Sequence, residues 1–206
     1  MRPPSYDAAK AIRHLKSADA RLGALITKLG PYKFALRPTR SIFEALLNSI
    51  VYQQLNGKAA ATIHGRVLAL FPRKHPTPAA LLALSDPALR AAGLSRNKLA
   101  ALRDLAAKTL DGTVPTFAAA HRLSDDKLVE RLTAVRGIGP WTVHMLLIFR
   151  MGRPDVLPTG DYAIRKGFQL LHQKRREPTP AHIVKHAERW RPYRTVASWY
   201  LWRSLD

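Results

Sequence analysis

The chain is divided into short segments by residues that favour helix starts and helix ends. Serine or threonine precedes most segments, and proline often takes the first helical position, as in Thr77-Pro78 and Ser85-Asp86-Pro87. Glycine closes several segments, for example at Gly93 and Gly112. Between these residues the apolar side chains recur with helical period, and no convincing alternating strand pattern appears. The sequence therefore predicts an all-α fold of roughly ten short helices.

The same pattern predicts how the helices are organised. The first predicted helix runs from Ser17 to Leu29, and residues 115–121 are predicted to be a short connector. The last two predicted helices begin after Thr179-Pro180 and at Arg194. We expect a single unit of two helical lobes with a cleft between them. One lobe would hold residues from about 41 to 145, and the other residues 1–40 together with 146–206.

The charge of the chain predicts a polyanionic partner. The 206 residues include 34 Lys and Arg against 14 Asp and Glu, which gives a formal net charge of +20. On a chain that is 47% hydrophobic, this charge is typical of a globular protein that binds nucleic acid. A basic membrane-surface protein is the alternative, but no stretch is long and apolar enough to span a bilayer.

The absence of cysteine limits the chemistry of the chain. It rules out disulfides and thiolate-bound metals, including an iron–sulfur cluster held by cysteines. The first residues, MRPPSYDAAK, lack the apolar core of a signal peptide. We therefore expect a cytoplasmic, nucleoid-associated protein, and nothing in the sequence suggests more than a monomer.

A glycine-rich hairpin lies between two predicted helices. Gly137 and Gly139 permit a tight turn, and Ile138 between them can point into the core. Pro140 suits the first position of the next helix, where its missing amide hydrogen costs nothing. The bare backbone amides at such a helix start attract an anion, and on a basic protein that anion is most often a nucleic-acid phosphate. This contact would hold the backbone without reading the base sequence.

Two motifs together resemble a known family. GIGPWT, which begins at Gly137, is followed about one helix later by LPTGDYAIRKG, in which Asp161 opens a predicted helix. This pair resembles the helix-hairpin-helix superfamily of DNA glycosylases, and within it the 3-methyladenine DNA glycosylase II branch. The resemblance runs from about Ser41 to the end of the chain, so the chain looks like a short form without the branch's extra N-terminal domain.

The resemblance implies that Asp161 is the catalytic carboxylate. An aspartate at a helix start is often only an N-cap, but the two roles are compatible, since backbone N–H donors stabilise an ionised carboxylate. Such a charge suits cleavage of an N-glycosidic bond, which builds positive charge on the sugar. Asp161 could also orient or deprotonate the attacking water. Asp155, the nearest other carboxyl, is expected to be solvated, so no second carboxyl would serve as a general acid. The absence of an acid fits a leaving base that already carries positive charge.

The resemblance also implies a base pocket and a monofunctional reaction. In glycosylases that also cut the strand, the residue two after the second hairpin glycine is a lysine, and here that residue is Trp141. A Schiff base at this position is therefore excluded. Trp141, Tyr162 and Trp202 match positions that line the pocket for the extruded base, where an aromatic face attracts a cationic purine by about 0.5–2 kcal/mol. For Trp202, an ordinary core position is the alternative interpretation.

The sequence departs from the branch at two pocket positions. Gly160 stands where a second acidic residue is expected, and Met145 stands where another aromatic residue is expected. These differences leave the substrate range open.

By resemblance to the family, the loop of residues 52–57 is expected to enter the minor groove beside the extruded base. Gln54 aligns best with the residue that fills the gap, and Leu55 is the alternative; a merely polar loop is the third possibility. The other predicted DNA contacts are Gly137, Ile138, Gly139 and Thr142.

Two groups of residues are candidates for binding a metal ion. By resemblance, the carbonyls of Thr133, Val135 and Ile138 could hold a structural monovalent cation at the hairpin. His182 and His186 are four residues apart on a predicted helix, but no third ligand is apparent, so we expect them on a solvated face. No cofactor is expected to be required.

The leading hypothesis is a monofunctional DNA glycosylase of base excision repair. It would bind double-stranded DNA, extrude a base that carries an N-methyl group, chiefly 3-methyladenine, and leave an abasic site. One alternative is an oxidised-base or mismatch glycosylase of the same superfamily. The other is a non-catalytic DNA-binding protein, although such a protein has no use for a carboxylate beside a phosphate backbone.

Overall fold

A computed structural model describes residues 3–206. Within this range the chain forms thirteen α-helices and no β-strand, which confirms the all-α prediction. None of these helices is long and apolar enough to cross a bilayer. The helices are α1 (Ala8–Ala18), α2 (Ala20–Leu29), α3 (Ile42–Tyr52), α4 (Gly57–Ala69), α5 (Pro78–Ala83), α6 (Asp86–Ala91), α7 (Arg96–Leu110), α8 (Phe117–His121), α9 (Asp125–Thr133), α10 (Pro140–Leu146), α11 (Tyr162–Leu171), α12 (Pro180–Ala187) and α13 (Arg194–Arg203).

The helices fall into two compact units. One unit comprises the described residues up to Pro38 together with Leu147–Asp206, and the other comprises Thr39–Leu146. In the first unit, α13 packs against α1, α2 and α11 around a core that includes the fully buried Phe168, Trp190 and Tyr200. In the second unit, α7 packs against α3 and α5, and α10 packs against α3 and α9. Each large apolar side chain buried in these cores contributes about 1.5–3 kcal/mol.

Side-chain caps fix where the helices begin. The hydroxyls of Ser41, Ser95 and Ser124 accept hydrogen bonds from the backbone amides three residues further on, at 3.1–3.3 Å. The hydroxyls of Thr77 and Thr179 do the same at 3.2 Å. These contacts satisfy amides that a helix start leaves unpaired, and each is worth about 0.5–2 kcal/mol.

The prediction of one N-terminal helix over Ser17–Leu29 is wrong. The segment is split at Asp19, whose extended backbone ends α1 while its Oδ1 caps α2 through the amides of Arg21 and Leu22, both at 3.1 Å. Asp7 caps α1 through the amide of Lys10 at 3.0 Å. An aspartate within an apolar helical pattern can be either a solvated residue inside one helix or a cap between two helices. The sequence alone does not distinguish these two cases, so the break between α1 and α2 was not predicted.

One further boundary differs from the predictions. Residues 115–121 are not a plain connector, because Thr116 caps the short helix α8 through the amide of Ala119 at 3.2 Å. Helix α10, for which the sequence gave a start but no end, continues as a π-helical turn over Leu147–Met151. A π turn has no composition of its own, so the apolar run there gave no sign of it.

Helices α11 and α13 approach each other closely at Gly167. A Cβ atom at this position would lie 2.6 Å from the carbonyl oxygen of Leu201, well inside van der Waals contact. The glycine therefore sets how α13 packs against α11, the helix that begins at Asp161.

Candidate functional site

Asp161 lies at the start of α11 as its N-cap. Its Oδ1 accepts hydrogen bonds from the amides of Ala163 at 2.8 Å and Ile164 at 3.2 Å. The residue is half-buried. Two backbone donors on the same oxygen fix the direction of the carboxylate and stabilise its charge.

The turn that leads into Asp161 is braced by Arg165, a residue that the sequence did not single out. Its guanidinium donates to the carbonyls of Gly160 at 2.9 Å and Thr159 at 3.3 Å, and it pairs with Glu177. The amide of Asp161 also donates to the carbonyl of Pro158 at 2.9 Å, which closes the turn. The only sequence signal for Arg165 is its place one turn after Asp161, on the same face of the helix.

The indole of Trp202 hydrogen-bonds to Asp161. Its indole Nε1 lies 3.4 Å from Asp161 Oδ1, which is a long and therefore weak hydrogen bond. The indole stacks on the ring of Phe149, with centroids 5.7 Å apart and planes 24° apart. The guanidinium carbon of Arg37 lies 4.8 Å from the centroid of the Phe149 ring. Phe149 could not be singled out as a site residue from the sequence, because it lies in the apolar run that forms the π turn.

Of the other predicted pocket residues, Tyr162 and Trp141 expose large apolar surfaces. Tyr162 directly follows Asp161 and is 63% exposed, while Trp141 on α10 is 49% exposed. Met145 lies one turn further along α10 and is half-buried. Both aromatic rings are therefore accessible to a ligand.

The glycine hairpin connects α9 to α10 as predicted. Gly137 has a φ of +77°, which glycine adopts without strain, and Ile138 is only 4% exposed, so its side chain anchors the turn in the core. The amide of Ile138 donates to the carbonyl of Val135 at 3.0 Å. The amides of Gly137 and Gly139 donate to no acceptor within residues 3–206. These two amides remain available for an anion.

A carboxylate on α7 holds this hairpin in place. Asp104 Oδ2 accepts the amide of Arg136 at 2.7 Å. Lys108 Nζ lies 2.8 Å from the same carboxylate oxygen and donates to the carbonyl of Ala134 at 2.7 Å. Burial by itself raises the pKa of Asp104, but the Arg136 amide and Lys108 outweigh it, so the pKa lies below its ordinary value. The pair forms a clamp, Asp104–Lys108, that joins the hairpin backbone to α7.

A polar cavity of 380 Å³ lies beside the hairpin, lined by Gln53, Gln54, Lys98, Arg136 and Gly137 among others. The Gln53 side-chain amide donates to the carbonyl of Gly137 at 2.8 Å, and Lys98 Nζ donates to the carbonyl of Val51 at 2.7 Å. Burial lowers the pKa of Lys98. Two cationic side chains and the unpaired glycine amides make this part of the unit suitable for a phosphate.

The loop after α3 presents its tip to solvent. Gln54 has a φ of +56°, a left-handed conformation that a non-glycine residue adopts only with strain, and its side chain reaches the cavity beside the hairpin. Leu55 is an apolar residue that is 38% exposed. The prediction that one of these residues fills the gap left by an extruded base remains a prediction.

The remaining predicted DNA and cation residues lie in α10 and around the hairpin. Thr142 on α10 is only 5% exposed, and its contact with DNA stays a prediction. The cation site formed by the carbonyls of Thr133, Val135 and Ile138 stays a prediction. The Val135 carbonyl already accepts one hydrogen bond there.

The prediction that Asp155 is solvated is wrong. Its side chain is 19% exposed, and its carboxylate pairs with Arg194 Nε at 2.8 Å and Arg191 Nη1 at 2.5 Å. These ion pairs attach the segment before Asp161 to the start of α13.

The prediction of a solvated face holds for His182 but is wrong for His186. His182 is exposed. His186 instead lies 2.8 Å from Asp19, because Asp19 ends α1 at a point where α12 lies close by. The sequence separation of the two residues gave no sign of this contact.

Comparison with known proteins identifies the family. Residues 47–192 match the family described as HhH-GPD superfamily base excision DNA repair protein. The match covers more than half of the chain, and the chain belongs to this superfamily. The resemblance inferred from the hairpin and the aspartate motif is therefore confirmed.

Relatives and solved structures cover most of the chain. DNA-3-methyladenine glycosylase 1 of Schizosaccharomyces pombe is 39% identical over 95% of this chain and 86% of that protein. The structure of 3-methyladenine DNA glycosylase from the same yeast with abasic DNA has a TM-score of 0.79 and covers 95% of this chain and 96% of that chain. A DNA-3-methyladenine glycosidase from Bacillus halodurans, 33% identical, has a TM-score of 0.88 over 99% of this chain and 92% of that chain. DNA-3-methyladenine glycosylase 2 of Escherichia coli is 30% identical over 78% of this chain and 56% of that protein.

Proposed function

We propose that this protein is a monofunctional DNA glycosylase of base excision repair. It hydrolyses the N-glycosidic bond of alkylated bases, chiefly N3-methylated purines, and leaves an abasic site. The observation that carries the proposal is the carboxylate of Asp161, oriented by two backbone amides and hydrogen-bonded to Trp202, in a member of a base-excision superfamily.

Asp161 supplies the negative charge that the reaction needs. As the bond to the base breaks, positive charge builds on the sugar, and a fixed carboxylate stabilises that charge more than it stabilises the substrate. The two amide donors hold the carboxylate before the substrate arrives, so no reorganisation is required during the reaction. Asp161 also orients the attacking water or accepts its proton.

No second carboxyl is needed as a general acid for this substrate class. Asp155 is held by Arg191 and Arg194 and serves the structure instead. A ring-alkylated base carries positive charge and departs without protonation, whereas an unmodified base would require an acid. Tyr162, which follows Asp161, and Trp202, which hydrogen-bonds to it, would supply aromatic faces for the extruded cationic base. By resemblance alone, Trp141 and Met145 on α10 are further candidates for contact with the base.

The hairpin and the adjacent basic residues bind the DNA backbone. The free amides of Gly137 and Gly139, with Lys98 and Arg136, hold phosphate without reading the base sequence. Gln54 or Leu55 enters the minor groove. A protein with this substrate works where the DNA is, and we place it in the cytoplasm on the nucleoid.

The reaction should stop at the abasic site. Trp141 occupies the position from which a lysine would attack the sugar, and tryptophan cannot form a Schiff base.

Two measurements on one reaction test the proposal. Methylated duplex DNA is incubated with the protein, and free bases are identified by mass spectrometry; we expect 3-methyladenine, with no strand cleavage. In parallel, borohydride is added to trap any covalent intermediate, and none should form. Absence of released base would refute the glycosylase assignment, and a trapped adduct would refute only the monofunctional assignment.

A further inference from the structure

Three potential metal ligands meet in the unit that contains Asp161. Asp19 joins α1 to α2, His172 directly follows α11, and His186 lies in α12. Asp19 Oδ2 lies 2.8 Å from His186 Nε2 and 3.8 Å from His172 Nε2, and one ligand atom from each residue lies within 4.8 Å of the others. Residues far apart in sequence thus place two imidazole nitrogens and one carboxylate oxygen around a single point.

One of these ligand atoms has no partner. His172 Nε2 is buried and makes no hydrogen bond within the described residues, and the His172 side chain is only 8% exposed. Burial first, and then the neighbouring His186, lower the pKa of His172 to about 4. The Nε2 atom of His172 lies 3.8 Å from Asp19 Oδ2, which is too long for a hydrogen bond. A buried polar atom without a hydrogen bond destabilises the folded state.

We propose that Asp19, His172 and His186 bind one Zn²⁺ ion, or a similar divalent transition metal. Two imidazoles and one carboxylate are a ligand set that zinc accepts, with solvent as the fourth ligand. Ligands about 2.1 Å from a tetrahedral zinc ion lie roughly 3.4 Å from each other. The observed separations of 2.8 and 3.8 Å lie on either side of this value. Solvent reaches the site beside His186, whose side chain is 19% exposed.

The surroundings already orient the three ligands. Trp190 Nε1 donates to Asp19 Oδ2 at 3.0 Å, and the amides of Arg21 and Leu22 hold Oδ1. The ring of Phe168 lies 4.4 Å from His172 and 5.1 Å from His186, measured between centroids. Contacts of this kind fix the rotamers of metal ligands and account for much of a site's affinity. Arg21 and Lys174 are the cations near His172, and the ionised Asp19 opposes their charge.

The metal would be structural rather than catalytic. Asp161 caps the N-terminal end of α11 and His172 follows its C-terminal end, so the ten residues of the helix lie between them. At 1.5 Å per residue this is a separation of roughly 16 Å. The ion would join the start of α2 to α11 and α12. A metal that binds only the folded state stabilises that fold.

The test uses the tag-free full-length chain, stripped of metal with a chelator and titrated with zinc chloride or cobalt chloride. We expect one equivalent to bind with micromolar or tighter affinity, and the absorption spectrum of the cobalt form to be that of a tetrahedral site. At a hundredfold excess of zinc over Kd, the melting temperature should rise by about 5–10 °C. Binding weaker than millimolar, or no thermal shift, would overturn the proposal.

Two kinds of control assign the ligands. His172→Asn and His186→Asn should each weaken zinc binding at least tenfold, whereas His182→Asn, one turn earlier on the same helix and exposed, should bind as the parent does. If either ligand variant fails to fold, imidazole ¹⁵N chemical shifts of the parent answer the same question. The Nε2 signals of His172 and His186 should move on zinc addition, and those of His182 should not. Unchanged affinity in both variants, or shifts confined to other histidines, would refute the assignment.

Discussion

Replacing Asp104 with asparagine should weaken DNA binding without slowing the chemical step. In the Asp104–Lys108 clamp, the Asp104 carboxylate accepts the Arg136 amide at 2.7 Å and pairs with Lys108. A hydrogen bond to a charged group contributes about 1.5–3 kcal/mol. The Asp104 side chain is 29% exposed, so solvent screens this contribution and leaves about 0–1 kcal/mol for the ion pair.

Asparagine retains an oxygen that can accept the Arg136 amide, so only part of this energy is lost. We expect the free energy of DNA binding to weaken by about 1–1.5 kcal/mol, mostly because a hairpin that has lost the clamp must become ordered when it binds DNA. Because about 1.4 kcal/mol corresponds to a factor of ten, Kd should rise about five- to twelvefold. The increase should be the same for undamaged and for abasic duplexes, since the hairpin contacts only the backbone.

Fluorescence anisotropy with both duplexes measures the effect, and Glu130→Gln provides the matched control. Glu130 lies on α9 and is exposed, and its carboxylate pairs with Lys127 at 2.8 Å. Its replacement changes the net charge equally without touching the clamp. Single-turnover base release at saturating enzyme should be unchanged in both variants. If Asp104→Asn binds DNA as tightly as Glu130→Gln does, the clamp has no role in holding the hairpin.

The effect of Asp104→Asn on thermal stability should depend on pH. The pKa of Asp104 in the folded protein lies below its ordinary value. Its stabilising contribution is therefore present above the unfolded pKa and is lost as pH falls through the folded pKa. The difference in thermal stability between parent and Asp104→Asn should be complete at neutral pH and should shrink only below the ordinary range of aspartate. A difference that vanishes already between pH 7 and pH 5 would contradict this interpretation.

Three further predictions follow from the structure. Gly167→Ala should destabilise the fold by about 1–3 kcal/mol in denaturant unfolding, because its Cβ would lie 2.6 Å from the Leu201 carbonyl oxygen; Gly65→Ala, with nothing within 4 Å, should be neutral or stabilising, and equal effects would contradict the packing argument. Trp202→Phe should slow single-turnover base release about two- to fivefold, since it removes a weak hydrogen bond to Asp161 but keeps the aromatic ring; an unchanged rate would show that the indole N–H does not act on the carboxylate. DNA affinity should fall about 10²- to 10⁴-fold between roughly 50 and 200 mM salt, and a flat profile would show that the basic residues do not contact phosphate.

The helix starts and the hairpin could be predicted because their causes are local in sequence. A serine or threonine caps the amides two or three residues ahead, and Gly137 and Gly139 permit a turn whatever surrounds them. Asp161 could be found for the same reason, since a motif of adjacent residues marked it. Its cap geometry then agreed with its position at the start of α11.

The supporting residues could not be predicted because their partners are distant in sequence. Asp104 meets the hairpin backbone 32 residues later, and Asp155 meets Arg194 39 residues later. Asp19 meets His186 across 167 residues. Nothing in the local composition distinguishes such a carboxylate from a solvated one. The error at Asp155 and the error at His186 have this single cause.

The most direct test of the account is the rate of base release by Asp161→Asn. Asparagine preserves the size of the side chain and an oxygen that can cap α11, but it removes the negative charge. We predict that single-turnover release of methylated base falls at least about 10²- to 10³-fold, while the Kd for an abasic duplex stays the same or decreases and Glu130→Gln retains the full rate. Base release by Asp161→Asn within a few-fold of the parent rate would contradict the claim that this carboxylate stabilises the sugar cation.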